Sequence, residues 1–270
     1  MTSGDDGTTM WDQIRNALNK GRSGLQSVIG EENRTRILET GVQPYAAICS
    51  IEISENGSSK GFATGFLIAP NRVVTAAHNL RDFNIFADKV RITPGRTAAR
   101  EPNGPSGTKS VNRSGFRFFP GWTTERRQDQ DVALILLEDP FPADHATLPL
   151  RVIEPAMLAG RTGEIAGFPT CVGNGCETGE SNDLAFPERG KVMFRHRQSI
   201  AAAANGLVYY PVDTWNGQSG APLLVGEGDA AHVVAVHTQG RKFDSADALL
   251  RLHNGGVRLT NEMIGFLSGE

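Results

Sequence analysis

Near the C-terminal end of the chain, Gly217-Gln218-Ser219-Gly220-Ala221-Pro222 puts a hydroxyl among glycines and closes the stretch with proline. Glycines on both sides give a backbone that turns sharply and lets another molecule approach closely. Such a loop is either a plain surface turn or a mount for a nucleophile, with its own amides aimed at the same spot. A serine hydroxyl is a poor nucleophile at neutral pH and needs an adjacent base, itself oriented by a further group. Among the six histidines, His78 stands out because it closes VVTAAHN, directly after a β-branched run. Asp131 in QDQDVALILL precedes a continuous apolar run, which would hold its carboxylate at the edge of a core; Asp129 lies further into the polar loop. Taken singly, each also fits a strand-end histidine or a carboxylate that caps a loop.

These residues need elements to bring them together. From about residue 44 the chain reads as short strands between turns: YAAICSIEI, GFATGFLIA, RVVTAA, KVRITPG and DVALILLE. A second set follows residue 150: GEIAGFP, GKVMFRH, LVYYPVD, APLLVG, HVVAVHT and GVRLT. A proline-rich connector, EDPFPADHATLPLRVIEP, separates the sets. Helical segments between strands are missing, so βαβ alternation does not fit, and two consecutive strand groups predict an all-β fold of two packed antiparallel β-barrels. TNEMIGFLSG at the end has helical spacing, with Met263, Phe266 and Leu267 on one face. At the front, residues 9–20 place Trp11, Ile14 and Leu18 on one helical face, with Thr9 as N-cap and Gly21 as the stop. The expected organisation is a front extension over 1–26, a first barrel over 27–145 and a second over 146–270 with the terminal helix.

Composition narrows the function classes. A net charge of -3 leaves no basic footprint for nucleic acid, and no apolar run approaches the ~18–20 residues of a membrane span. The acidic, polar front lacks the apolar stretch of a secretory signal, which points to the cytoplasm or to an export signal outside this sequence. Three cysteines, an odd number, define no disulfide framework. Cys171 and Cys176 sit in the glycine-rich TCVGNGCETG and could close a small ring; the spacing is unusual for zinc and no second pair exists, so neither a metal nor a cofactor is expected.

The motifs together say more than each alone. TAAH, then DVAL, then GQSGAP, in that order, resemble the trypsin-like serine peptidases, and within them the bacterial glutamyl endopeptidases. The resemblance runs from about Ser27 to the end and includes SVIGEENRTRI, GFLIAPNRVVTAAH, PGR, GFP, DTWNGQSGAP, AVHTQG and GVRLT. It implies a chymotrypsin-like fold and a serine endopeptidase in which Ser219 attacks, His78 carries the proton and Asp131 fixes the imidazole. The amides of Gly217 and Ser219 would form the oxyanion hole. Asn79 departs from relatives that place a disulfide cysteine after the catalytic histidine, and this favours a reducing compartment, against the secretion that the family implies.

The same resemblance assigns Thr214 and His237 to a pocket for a substrate glutamate, and Thr238-Gln239-Gly240 to pairing with the substrate backbone. Asp213 raises a rival expectation, a pocket for Arg or Lys. Ser27 matches the mature start of the glutamyl endopeptidases, whose free α-amine contributes to the active form. Residues 1–26 are therefore expected to be a pro-segment, removed by another protease because Gln26–Ser27 is not a glutamate site. The expected partners are a protein or peptide substrate and that activating protease, around a monomer. A non-catalytic homologue that only binds, and an esterase or acyltransferase with the same triad, are the competing classes.

Overall fold

In the computed structural model, which describes residues 28–82, 85–97, 107–176 and 181–269, the β-branched runs form strands. In β2 (Ile48–Glu55), Ile51 and Ile53 are buried while Glu52 and Ser54 are half-buried, the period-two pattern of a strand with one face on a core. It pairs along its length with β3 (Ser58–Ala69) and with β5 (Lys89–Pro94). The sheet continues through β4 (Arg72–Thr75), β8 (Ala133–Leu136) and β7 (Phe116–Phe118) on one side and β6 (Lys109–Asn112) on the other. The order is β6-β5-β2-β3-β4-β8-β7, all antiparallel.

A second antiparallel sheet holds β9 (Thr162–Gly167), β10 (Phe194–Ser199), β11 (Ala202–Ala204), β12 (Leu207–Tyr210), β13 (Pro222–Val225), β14 (His232–Gln239) and β15 (Asn254–Arg258). Its order is β1-β10-β9-β13-β14-β15-β12-β11, and β1 (Thr35–Arg36) comes from the front of the chain. The chain is thus all-β, two curled antiparallel sheets with helices α1 (Pro120–Glu125), α2 (Pro155–Leu158) and α3 (Asn261–Ser268). The main apolar cluster joins both sheets, from Ile48, Ile51 and Phe66 to Leu224, Val233 and Val236.

The departures from expectation have local causes. β1, β6, β7 and β11 are too short for alternation to be legible, and the GKVMFRH strand begins only at Phe194. The stretch around β1, near the front of the span 27–145, pairs with β10 at the edge of the second sheet. The terminal helix forms as expected, with Thr260 accepting the Met263 amide at 3.2 Å as N-cap. The front helix, residues 1–26 and Ser27 lie outside the described residues.

Candidate active site

Register brings the histidine to the carboxylate. β4 and β8 pair antiparallel with Thr75 opposite Ala133, so the chain leaving β4 and the chain entering β8 meet at one end of the ladder. Past Thr75, a single 3-10 turn (Ala77–Asn79) carries His78; just before Ala133, another (Gln128–Gln130) ends at Asp131. The Asp131 carboxylate receives the His78 backbone amide at 2.8 Å on Oδ1, while Oδ2 lies 2.6 Å from the ring Nδ1. Both residues are buried. Burial disfavours the imidazolium, but the charge and hydrogen bond of Asp131 prevail and hold the His78 pKa above its ordinary value. Trp122 of α1 packs beside the imidazole, its ring 6.5 Å away.

Ser219 stands at the entrance to β13 in a turn whose carbonyls from Trp215 to Ser219 are engaged. Those of Trp215 and Gln218 accept the amides of Gln218 and Ala221, each at 2.9 Å, and that of Asn216 accepts Thr170 N at 2.6 Å. Thr64 Oγ1 donates to the Gly217 carbonyl at 2.6 Å. The Ser219 carbonyl receives Thr64 N at 3.0 Å and Asn79 Nδ2 at 2.9 Å. In a trans peptide the C=O and the following N–H point oppositely. Holding the Asn216 and Gln218 carbonyls inward therefore turns the Gly217 and Ser219 amides to the other side of the turn. The conformation needs its glycines: Gly217 has φ +96° and Gly220 φ +88°, and a Cβ on Gly220 would sit 2.2 Å from the Thr64 carbonyl oxygen. Asn79 also donates to Thr75 Oγ1 at 3.0 Å, so the residue after the histidine ties β4 to the serine turn.

The serine turn is stitched onto β14, with Gly220 N donating to the His237 carbonyl at 2.7 Å and His237 N to Ala221 at 2.8 Å. The His237 ring is fully buried, with Nδ1 2.8 Å from the Tyr210 hydroxyl and 3.1 Å from the Gly255 carbonyl. Burial, with a smaller repulsion from His78, lowers its pKa to about 3, so the imidazole is neutral. Its Nε2 and the hydroxyl of buried Thr214 have no partner among the described residues, and neither do the side-chain polar atoms of Thr238 and Gln239. A bulge separates His237 from Gln239 in the pairing with β15, while the β13 ladder stops at Val236. Among the described residues no strand covers the other edge beyond His237, where Thr238, Gln239 and then Gly240 follow.

Asp213 is fully buried and occupied. Its carboxylate accepts Ile29 N at 2.7 Å and Asn33 N at 3.0 Å, and lies 3.2 Å from His196 Nδ1. Burial alone would raise its pKa; the His196 contact and the two amides outweigh that and hold it below the usual carboxylate range.

The family model described as Trypsin matches residues 38–249. The chain belongs to the trypsin family. A glutamyl endopeptidase of Bacillus licheniformis is 28% identical over 258 residues, covering 90% of this chain and 69% of that one. A protein of Bacillus subtilis named extracellular metalloprotease is 29% identical over 242 residues, covering 88% and 67%. Among solved structures, a Glu endopeptidase in complex with MPD superposes with a TM-score of 0.69 at 24% identity, over 90% of this chain and 98% of that one. The protease Anisep from Arthrobacter nicotinovorans gives 0.61 at 14%, over 87% and 98%. The fold is that of the trypsin-like serine proteases, which act on proteins or peptides. Among the described residues, no group of three His, Cys, Asp or Glu side chains is arranged to hold a metal ion.

Within this trypsin-family frame, the residues that sequence reasoning missed are those that position rather than react. Thr64 reads as one more threonine of a strand, Asn79 as a lost cysteine, and Tyr210 as a core aromatic. Only contacts between residues far apart in the chain give them their roles: Thr64 and Asn79 reach the serine turn from the first sheet, and Tyr210 meets His237 within the second.

Proposed function

We propose that the protein is a serine endopeptidase that cleaves peptide bonds after glutamate through Ser219, His78 and Asp131. Ser219 Oγ attacks the scissile carbonyl carbon as His78 Nε2 takes its proton, and the oxyanion that forms accepts hydrogen bonds from the Gly217 and Ser219 amides. His78 then protonates the leaving amine, and water hydrolyses the acyl-enzyme by the same exchange in reverse. The 2.6 Å contact of Asp131 with Nδ1 supports this, since it leaves Nε2 as the nitrogen that exchanges the proton. The uncovered edge after His237 suits an extended substrate that adds a strand along residues 238–240.

The observation that carries the glutamate preference is the pair of buried, unpartnered groups next to the serine turn, Thr214 Oγ1 and His237 Nε2. With the Tyr210 hydroxyl donating to Nδ1, Nε2 carries the proton and can donate to a carboxylate beside Thr214. A carboxylate there also favours the imidazolium, whose Nδ1–H then has the Gly255 carbonyl as acceptor. The rival basic pocket is disfavoured because the Asp213 carboxylate is consumed by Ile29, Asn33 and His196.

Residues 1–26 are proposed to be an inhibitory pro-segment removed by another protease. Ile29 already donates to Asp213, the residue before Thr214, and Ser27 is two residues away, a reach of about 7 Å. An α-amine freed at Ser27, with an ordinary pKa of ~7.7–8.0, would add positive charge where the substrate carboxylate binds.

The test is a map of the bonds cut in a denatured peptide mixture by full-length protein, by protein starting at Ser27 and by Ser219→Ala. Cuts after Glu that vanish in the variant are the expected result. Cuts after Arg or Lys would overturn the pocket assignment, and hydrolysis of esters but no peptide would overturn the endopeptidase. A trimmed form no more active than the full chain would overturn the pro-segment.

A further inference from the structure

The stretch leading into β1 does more than supply amides to Asp213. Arg34 lies there with its side chain completely shielded from solvent and its guanidinium bound on two fronts. Towards its own segment it forms a fork with Glu32, with Nε 2.8 Å from Oε1 and Nη2 on Oε2. Glu32 is itself fixed, accepting the Arg34 amide at 2.9 Å and the Gly173 amide at 3.0 Å. Towards the active site, Arg34 Nη1 donates to Gln218 Oε1 at 3.0 Å. Gln218 is the residue between the two proposed oxyanion donors, and it is fully buried.

We propose that Arg34 is a positioning residue for the oxyanion turn, holding Gln218 so that the amides on either side of it stay aimed at the substrate oxygen. This rests on the serine endopeptidase assignment above. Gln218 Oε1 accepts two donors, Arg34 Nη1 and, at 2.9 Å, the Trp215 amide. Two donors converging on one atom fix the amide as the acceptor end facing both. The side chain thereby locks the Gln218 backbone at both ends of the turn, where its N–H donates to Trp215 and its C=O accepts from Ala221. The Gln218–Ser219 peptide plane carries the Ser219 donor, and the Gly217–Gln218 plane, fixed through the Gln218 N–H, joins it to the Asn216–Gly217 peptide that carries the other donor. Glycines at 217 and 220 leave the turn able to take other conformations, so its catalytic geometry needs an outside restraint. A planar guanidinium suits this place better than an ammonium, because one face of the fork holds Glu32 while the remaining nitrogen reaches Gln218.

The experiment compares wild type with Arg34→Met, Arg34→Lys, Gln218→Met and the Arg34→Met/Gln218→Met double variant, using full-length protein before and after limited proteolysis of its front. Arg36→Gln, an exposed neighbour paired with Glu188, is the control. Steady-state kinetics on a peptide substrate are read with the affinity for a peptide aldehyde, which places an oxyanion in the hole. Losing the aim of one donor predicts a fall in kcat of about 10²-fold for Arg34→Met, with KM within about threefold of wild type. Aldehyde affinity should fall in proportion, and Arg34→Lys should recover part of both. Gln218→Met should match Arg34→Met, and the double variant should be no worse than the worse single.

An Arg34→Met that keeps wild-type kcat overturns the proposal, as does a loss confined to KM. If Arg34→Met fails to fold, Gln218→Met carries the test, and its retention of wild-type kcat overturns the proposal equally. A wild type that cuts peptides beside unaffected variants refutes only the Arg34 role. A wild type that cuts nothing before or after proteolysis overturns the endopeptidase assignment and the Arg34 role with it.

Discussion

At the scale of single residues, the site is governed by how burial and partners set the proton inventory of two histidines. His78 is driven up by the Asp131 carboxylate despite its burial. A general base must be neutral, so kcat/KM is expected to rise with pH through a limb above the ordinary value of about 6.5. Asp131→Asn should move that limb to lower pH and reduce kcat by about 10⁴-fold, as removal of the orienting carboxylate does in such triads; a pH–rate profile on both proteins checks this. His237 is driven the other way, to about 3, because burial disfavours the imidazolium and no carboxylate compensates it. His237→Gln should therefore lower kcat/KM for a substrate cleaved after Glu by about 10–100-fold, the worth of a hydrogen bond to a charged group. Matched peptides with Gln in place of that Glu should change little. Equal losses on both peptides would mean that His237 shapes the turn rather than reads the carboxylate.

At the scale of elements, the loop after β9 is the support under the serine turn. Thr170 binds the Asn216 carbonyl through its amide at 2.6 Å and its hydroxyl at 3.0 Å, and Gly173 binds Glu32 at 3.0 Å. Cys171 and Cys176 are joined by a disulfide within that loop, so the small ring that the spacing allowed is closed, and buried Cys49 is the free cysteine. A ring this short removes little unfolded-state entropy, about 2 kcal/mol on the chain-entropy account. Replacing both cysteines by serine should lower the melting temperature by roughly 4–8 °C, read by differential scanning calorimetry. Activity should fall further than this stability loss explains, because the same loop holds Asn216 and Glu32; kcat at a temperature far below the melt separates the two. The elements themselves were partly legible. Long strands such as β2, β3 and β14 announce themselves by β-branched runs bounded by turns, whereas β1, with Thr35 and Arg36 exposed, has no hydrophobic period to read.

At the scale of the whole molecule, the two sheets act as one body because their ends are exchanged. β1 from the front joins the second sheet, and α3 from the C-terminus packs on the first, where Arg72 Nη1 donates to the Leu267 carbonyl at 2.8 Å and Phe266 meets Phe119 edge-on at 5.4 Å. Leu267 is fully buried in the cluster shared by both sheets. Leu267→Ala should cost about 2–5 kcal/mol and should shift one cooperative transition rather than split it, as calorimetry would register. Residue types and their order by themselves determined the all-β class and nominated His78, Asp131 and Ser219, because strand periodicity and a nucleophile's need for a base are written locally along the chain. Tertiary structure alone decided that the β4–β8 register delivers His78 to Asp131, that Asp213 is consumed by Ile29 and Asn33, and that Arg34 reaches Gln218. Those contacts join residues far apart in the chain, and their strength comes from shared burial, which no local pattern of side chains can encode.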